Sequence, residues 1–173
     1  MRKFLPYLLI LLLLSGTAFF IIFRPEPTVF NTVSVSGKLR LSVPSYLTKT
    51  DSIDAEAILQ YENNKEQVYL VVYEQSDTSH RSMQECFEKF SNALADKLEH
   101  GALLNYVPEK INGCDAFTGN IRGSAKETSL YYRVMMIGSA EKYYEVIFCV
   151  GDNNQSSYRE DIDTLIHSVK IQP

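Results

Sequence analysis

The chain has 173 residues, 45% hydrophobic and 22% charged, with 8 Gly, 6 Pro and 3 Cys, a balance that excludes disordered, collagen-like and cysteine-stapled classes and leaves room for one ordinary domain. Its formal charge of −4 is unevenly spread, because Arg2, Lys3 and Arg24 flank an apolar run and the rest of the chain carries 14 basic against 21 acidic side chains, net −7. Such a domain, without a basic cluster, is a poor match to phosphate-backbone binding, and no nucleic-acid partner is expected.

From Phe4 to Phe23 the sequence FLPYLLILLLLSGTAFFIIF has no charge. As a helix it would span about 30 Å, the thickness of a hydrocarbon core. Two readings stay open, an uncleaved signal-anchor over residues 1–23 and a signal peptide cut after Ala18. The length of the run and its basic flanks favour the anchor. Cys86 is the first cysteine, which excludes an N-terminal lipoprotein anchor. The positive-inside bias puts the N-terminus in the cytoplasm. A single-pass protein of the cytoplasmic membrane is expected, its C-terminal domain periplasmic or extracellular. Residues 24–32, with Pro25 and Pro27, read as a juxtamembrane linker, and residues 33–173 as one α+β domain.

In chain order, the first strands are expected at Thr32–Val35 and Leu39–Val43, then a pair at Ala55–Glu62 and Gln67–Glu74 around the turn Asn63-Asn64-Lys65. In Val68-Tyr69-Leu70-Val71-Val72-Tyr73 both alternating sets are apolar or aromatic, which calls for cover on both sheet faces. Ser82 and Glu85 form a capping-box pattern. Met83, Cys86, Phe87, Phe90, Ala93, Leu94 and Leu98 follow at helical spacing, with Gly101 as the stop. Leu103–Val107 and Glu109–Ile111 lead to the turn signal Asn112-Gly113 and a strand at Cys114–Arg122. Ser129–Gly138 and Lys142–Val150 read as a hairpin. Placing Leu130, Tyr132, Val134 and Met136 on one side with Tyr144, Val146, Phe148 and Val150 pairs Gly138 with Lys142, and brings Arg133 within reach of Glu145. A second helix is expected to be capped by Ser157 with Glu160, its apolar stripe running from Tyr158 to Val169. Two helices and a doubly covered antiparallel sheet predict an α/β/α sandwich with helices on both faces.

The strand Leu39-Arg40-Leu41-Ser42-Val43-Pro44-Ser45, the run Tyr69–Glu74, the helix from Ser82, Ile111-Asn112-Gly113 and the closing Asp161-Ile162-Asp163-Thr164-Leu165-Ile166-His167-Ser168-Val169-Lys170 resemble the PsbP-like and DcrB-like superfamily over residues 33–173. The resemblance implies the same sandwich. It also implies binding or assembly roles, as in an extrinsic photosystem subunit, a Ran-binding protein and bacterial envelope proteins. No functional residue is common to those branches, so none carries over.

Chemistry is sparse. His80, His100 and His167 lack the close spacing of a zinc motif and the cysteines form no C-x-x-C pair, so no metal or cofactor is expected. Cys86 and Cys149 read as buried thiols, with Cys114 after a turn; a disulfide stays open. Asp152, Asn154 and Ser156 alternate as in a calcium loop, but Ser157 and Asp163 stand where glycine and glutamate are required. Asn154-Gln155-Ser156 is a formal glycosylation sequon. Asp51, Asp54 and Glu56, and Glu160, Asp161 and Asp163, read as solvated groups. Tyr131 and Tyr143, each beside a second tyrosine, are the candidate exposed binding surface, with coverage by a helix as the alternative. The expected function is a non-catalytic, membrane-anchored binding module with a protein partner. The alternatives are an enzyme with a scattered site and a secreted binder released by signal cleavage.

Overall fold

The computed structural model describes residues 27–35, 37–76, 81–139 and 142–172. The expected anchor over residues 1–23 lies outside the described residues. Within them no helix is long and apolar enough to cross a membrane.

Strands β1 (Phe30–Val35) and β2 (Leu39–Pro44) form a hairpin, followed by the short β3 (Thr48–Lys49), then β4 (Leu59–Asn63) and β5 (Val68–Ser76). Helix α1 (Met83–Ala95) precedes β6 (Glu99–Ile111), β7 (Cys114–Ala125), β8 (Thr128–Gly138) and β9 (Lys142–Gly151). A 3₁₀ turn at Asp152–Asn154 leads into α2 (Gln155–Ser168), and β10 (Lys170–Ile171) closes the chain. Seven strands build one antiparallel sheet, in the order β3-β4-β5-β9-β8-β7-β6; β1, β2 and β10 form a second, small sheet.

The large sheet is covered differently on its two faces. Leu70, Val72, Met135, Ile137, Val146 and Phe148 face α2 and the small sheet, packing against Leu39, Leu41, Ile162, Leu165 and Ile166. Ile121, Val134, Met136 and Ile147 face α1, where Phe87 is fully buried and stacks on Phe117. Each such aliphatic or aromatic side chain contributes about 1.5–3 kcal/mol by leaving water. The predicted two-faced helical cover is therefore present, and the first hairpin belongs to a separate sheet that shares the work of α2.

Local expectations met the structure in different ways. The Ser82–Glu85 capping box is formed in both directions. Asn112-Gly113 makes the β6–β7 turn with φ +50° and +89°, values that favour Asn and Gly. The Asn112 side chain also donates to the carbonyls of His167 and Val169, tying the turn to the end of α2. Pro108 does not split β6, because β6 is an edge strand whose outward N–H needs no partner.

Four expectations are corrected. Residues Ala55–Ile58 are not strand: the buried Gln60 side chain accepts from the Ile53 and Asp54 amides and donates to the Asp54 carbonyl, holding the preceding segment as a loop. The first helix ends at Ala95, and by Glu99 the chain is already in β6. Helix α2 starts at Gln155 without a side-chain cap, so Ser157 and Glu160 lie inside it, because the 3₁₀ turn runs straight into the helix. Finally, β8 and β9 pair one residue out of the expected register, with Gly138 opposite Tyr143 and Arg133 opposite Phe148. Arg133 therefore faces α2, Glu145 faces α1, and no cross-strand ion pair joins them. Residues 143–150 are all buried, so neither alternating set of β9 prefers the solvent side and hydrophobic pattern alone cannot choose the register.

Candidate functional site: a polar cleft between the second helix and the sheet

Where β6, β7 and β8 extend past α2, the sheet face turns polar. Register places Asn120 opposite Arg133 and Thr118 opposite Met135, so Thr118, Asn120, Tyr131 and Arg133 point to the same side. From the helix, Gln155, Arg159, Asp163 and His167 stand four residues apart, a polar stripe beside the buried Ile162 and Ile166. Asn120, Tyr131, Arg133, Gln155, Arg159 and Asp163 enclose a cleft of about 210 Å³. Through Arg159 and Asp163 it opens into a groove of about 610 Å³ along α2 that ends at His167.

Arg133 is the unusual group. Its Nη1 donates to Asn120 Oδ1 at 3.1 Å and its Nη2 to Thr118 Oγ1 at 3.3 Å, while its Nε is buried with no hydrogen-bond partner among the described residues. No carboxylate of the described residues lies within 4.0 Å of Arg133 or Arg159. A buried donor left unpaired costs about 1–3 kcal/mol, so the guanidinium is pre-positioned for an acceptor.

The neighbours are held in place. Tyr131 donates to Asn120 Oδ1 at 2.5 Å, and Asn120 Nδ2 donates to Asn105 Oδ1 at 2.7 Å. Burial raises the Tyr131 pKa against the lowering effect of Arg133, so the phenol stays a neutral donor. Arg122 lies over the Tyr131 ring, donates to Gln155 Oε1 at 2.7 Å, and places Nε 2.9 Å from Asp152 Oδ1. That last contact is ionic only, since its geometry leaves Asp152 Oδ1 without a hydrogen bond. At the far end, Thr118 donates to Glu109 Oε1, and Glu109 Oε2 is 3.5 Å from His167 Nε2. His167 Nδ1 lies 2.7 Å from the Asp163 carbonyl. That oxygen can only accept, so Nδ1 carries a proton and Nε2 faces Glu109.

Tyr131 and Tyr143 do not form one exposed surface. They are 7% and 8% exposed and belong to the cores on opposite faces of the sheet. Only Tyr131 reaches the cleft. His80 lies outside the described residues. His100 is exposed, in the left-handed region at φ +55°. No disulfide joins Cys86, Cys114 and Cys149, and burial pushes the Cys149 pKa up to about 11. No group of three or more His, Cys, Asp or Glu among the described residues is arranged to hold a metal ion. Arg159, Asn120 and Gln155 were not foreseen as site residues. The i, i+4 stripe on α2 was the available signal, but which sheet residues it meets depends on register.

No family model matches the chain, and no curated protein matches it by sequence. Solved structures do. The cyanobacterial PsbP (CyanoP) of Synechocystis superposes with a TM-score of 0.67 at 12% identity, covering 85% of this chain and 95% of that one. The Saccharomyces cerevisiae Ran-binding protein Mog1p gives 0.60 at 10% identity over 84% and 96%. LpqN of Mycobacterium tuberculosis, described as involved in cell envelope biogenesis, gives 0.51 at 12% over 87% and 88%. The chain has the PsbP/Mog1/DcrB-like fold.

Proposed function

We propose that this chain is a membrane-anchored, extracytoplasmic, non-catalytic binding module that grips an acidic group of a protein partner in the α2 cleft. The observation that carries the reading is Arg133, a cation lodged against the sheet whose Nε has no hydrogen-bond partner among the described residues. Arg159 adds a second cation across the cleft, without an ion-pair partner among the described residues, and the open groove along α2 leaves room for the segment bearing the acid. The extracytoplasmic part rests on the apolar, basic-flanked N-terminal run. A partner-binding role agrees with a Ran-binding protein and an envelope-biogenesis protein having the same fold. The test is affinity capture of the full anchored chain from solubilised membranes, beside Arg133→Met and Arg159→Met. A partner retained by the wild type and lost by both variants supports the reading. A catch indifferent to both substitutions sinks it. The mass of the mature chain separates an anchored from a secreted form.

One observation favours an enzymatic reading instead: the groove reaches His167, whose Nε2 lies 3.5 Å from Glu109 Oε2, with Asp163 and Glu160 along the groove wall. Ester or phosphate hydrolysis by the purified chain, abolished by His167→Ala, would establish it. Catalysis of that kind needs a base within hydrogen-bond reach of the reacting proton.

A further inference from the structure

The opposite face of the large sheet carries a second site. Helix α1 packs on β6 and β7, which leaves the β5–β9 part of that face to be bounded by residues 50–58, the loop that Gln60 pins. Between loop and helix lies an apolar cavity of about 290 Å³. Cross-strand rows set its lining. Val71 is opposite Ile147, Tyr69 and Tyr132 are both opposite Cys149, and Tyr73 is opposite Glu145. Three tyrosines thus surround a floor of Val71 and Ile147. Through Tyr73, Leu94 and Ile147 the cavity continues into a polar pocket of about 190 Å³, where Asp54, Glu56 and Glu145 face the single ammonium of Lys97.

The Lys97 side chain is exposed, whereas Glu145 is 7% exposed and has no ion-pair partner among the described residues. The Tyr73 hydroxyl donates to Asp54 Oδ2 at 2.9 Å, fixing both at the junction of the two pockets. An apolar, aromatic chamber ending in excess negative charge suits one class of ligand. Neutral apolar molecules would leave the carboxylates uncompensated. Anions are repelled. Compact metal ions need converging oxygen ligands, and the described residues offer no such cluster. A diffuse organic cation satisfies both halves, since its alkyl groups shed water against the tyrosine faces while its charge meets the ring quadrupoles and the carboxylates.

We propose that this pocket binds an organic cation, an alkylammonium group seated among Tyr69, Tyr73 and Tyr132 with Asp54 and Glu145 as counter-charges. The site is independent of the Arg133 cleft, which faces the other side of the sheet. The full chain, in an uncharged maltoside detergent, is titrated with choline, with benzyltrimethylammonium, and with neohexyl alcohol, the uncharged carbon isostere of choline. Tyrosine emission can follow the titration, because the chain has no Trp. Saturable binding of the ammonium compounds is expected, at least tenfold tighter than the isostere. It should weaken at least tenfold in Glu145→Gln and in Tyr132→Leu, and stay unchanged in Arg133→Met. Equal affinity for choline and its isostere, no saturable binding of either ammonium, or binding indifferent to both pocket substitutions would overturn the proposal. Because Arg133→Met disables only the cleft, failure here leaves the protein-binding reading standing, and the converse holds.

Discussion

Burial of the Glu145 carboxyl among β5, β8 and β9 pushes its pKa up to about 7 from an ordinary 4.5, against a hydrogen bond from Gln75 that lowers it. Below about pH 4.5 folded and unfolded chains both hold the proton, so the residue is neutral to stability. Between there and about pH 7 the unfolded chain releases the proton while the folded chain keeps it, and stability falls as pH rises. Above that the penalty is complete, roughly 3 kcal/mol. Asp54, Tyr73 and Lys97 line the same pocket, and the Gln75 hydrogen bond opposes the penalty only in part. Glu145→Gln is therefore expected to stabilise the chain by up to roughly 3 kcal/mol at pH 8 and hardly at all at pH 4, measured by denaturant unfolding. Equal gains at both pH values would show that ionisation is not the cause. Arg133 poses the converse case. Replacing it orphans nothing, because Asn120 Oδ1 still accepts from Tyr131 and Thr118 still donates to Glu109. Arg133→Met should cost less than about 1 kcal/mol, or stabilise; a loss of several kcal/mol would make Arg133 a structural residue. Neither role was legible in the sequence. An Arg and a Glu inside apolar strands suggested a pair, and only the register shows them on opposite faces.

At the scale of elements, legibility followed the reach of the signal. The Ser82 cap and the Asn112-Gly113 turn depend on neighbours within four residues, and both formed as expected. Ser82→Ala should cost about 1 kcal/mol, a fall of roughly 2–4 °C in thermal midpoint. The end of α1 was misjudged because its cause is tertiary. Gly101 sits where an added Cβ would lie 2.0 Å from the Ala95 carbonyl oxygen, so the chain doubles back onto the helix end instead of extending it. Gly101→Ala should therefore destabilise by roughly 1–3 kcal/mol, since the backbone itself must move. A cost below that of Ser82→Ala would show that the helix end yields easily. The β8–β9 register was misread for a related reason: with both faces of β9 buried, its pattern carries no information on which side faces in.

For the whole molecule, the chain divides into an apolar run with basic flanks and a domain of net charge −7, and the export proposal rests on that division. It can be tested through the cysteines. Cys86 and Cys149 are buried, and replacing Cys114 by Ser removes the remaining, half-buried thiol. The Lys65 side chain is 90% exposed on the β4–β5 turn, and its ion pair with Glu66, at 3.8 Å, is a surface contact of little energetic weight. Lys65→Cys in the Cys114→Ser background thus presents one reactive thiol with little effect on the fold. In spheroplasts a membrane-impermeant maleimide should label it at once. Labelling that appears only after lysis would put the domain in the cytoplasm and remove the extracytoplasmic half of the proposed function. The fold and both pockets would stand unchanged, because the residues described as lining them all belong to the domain.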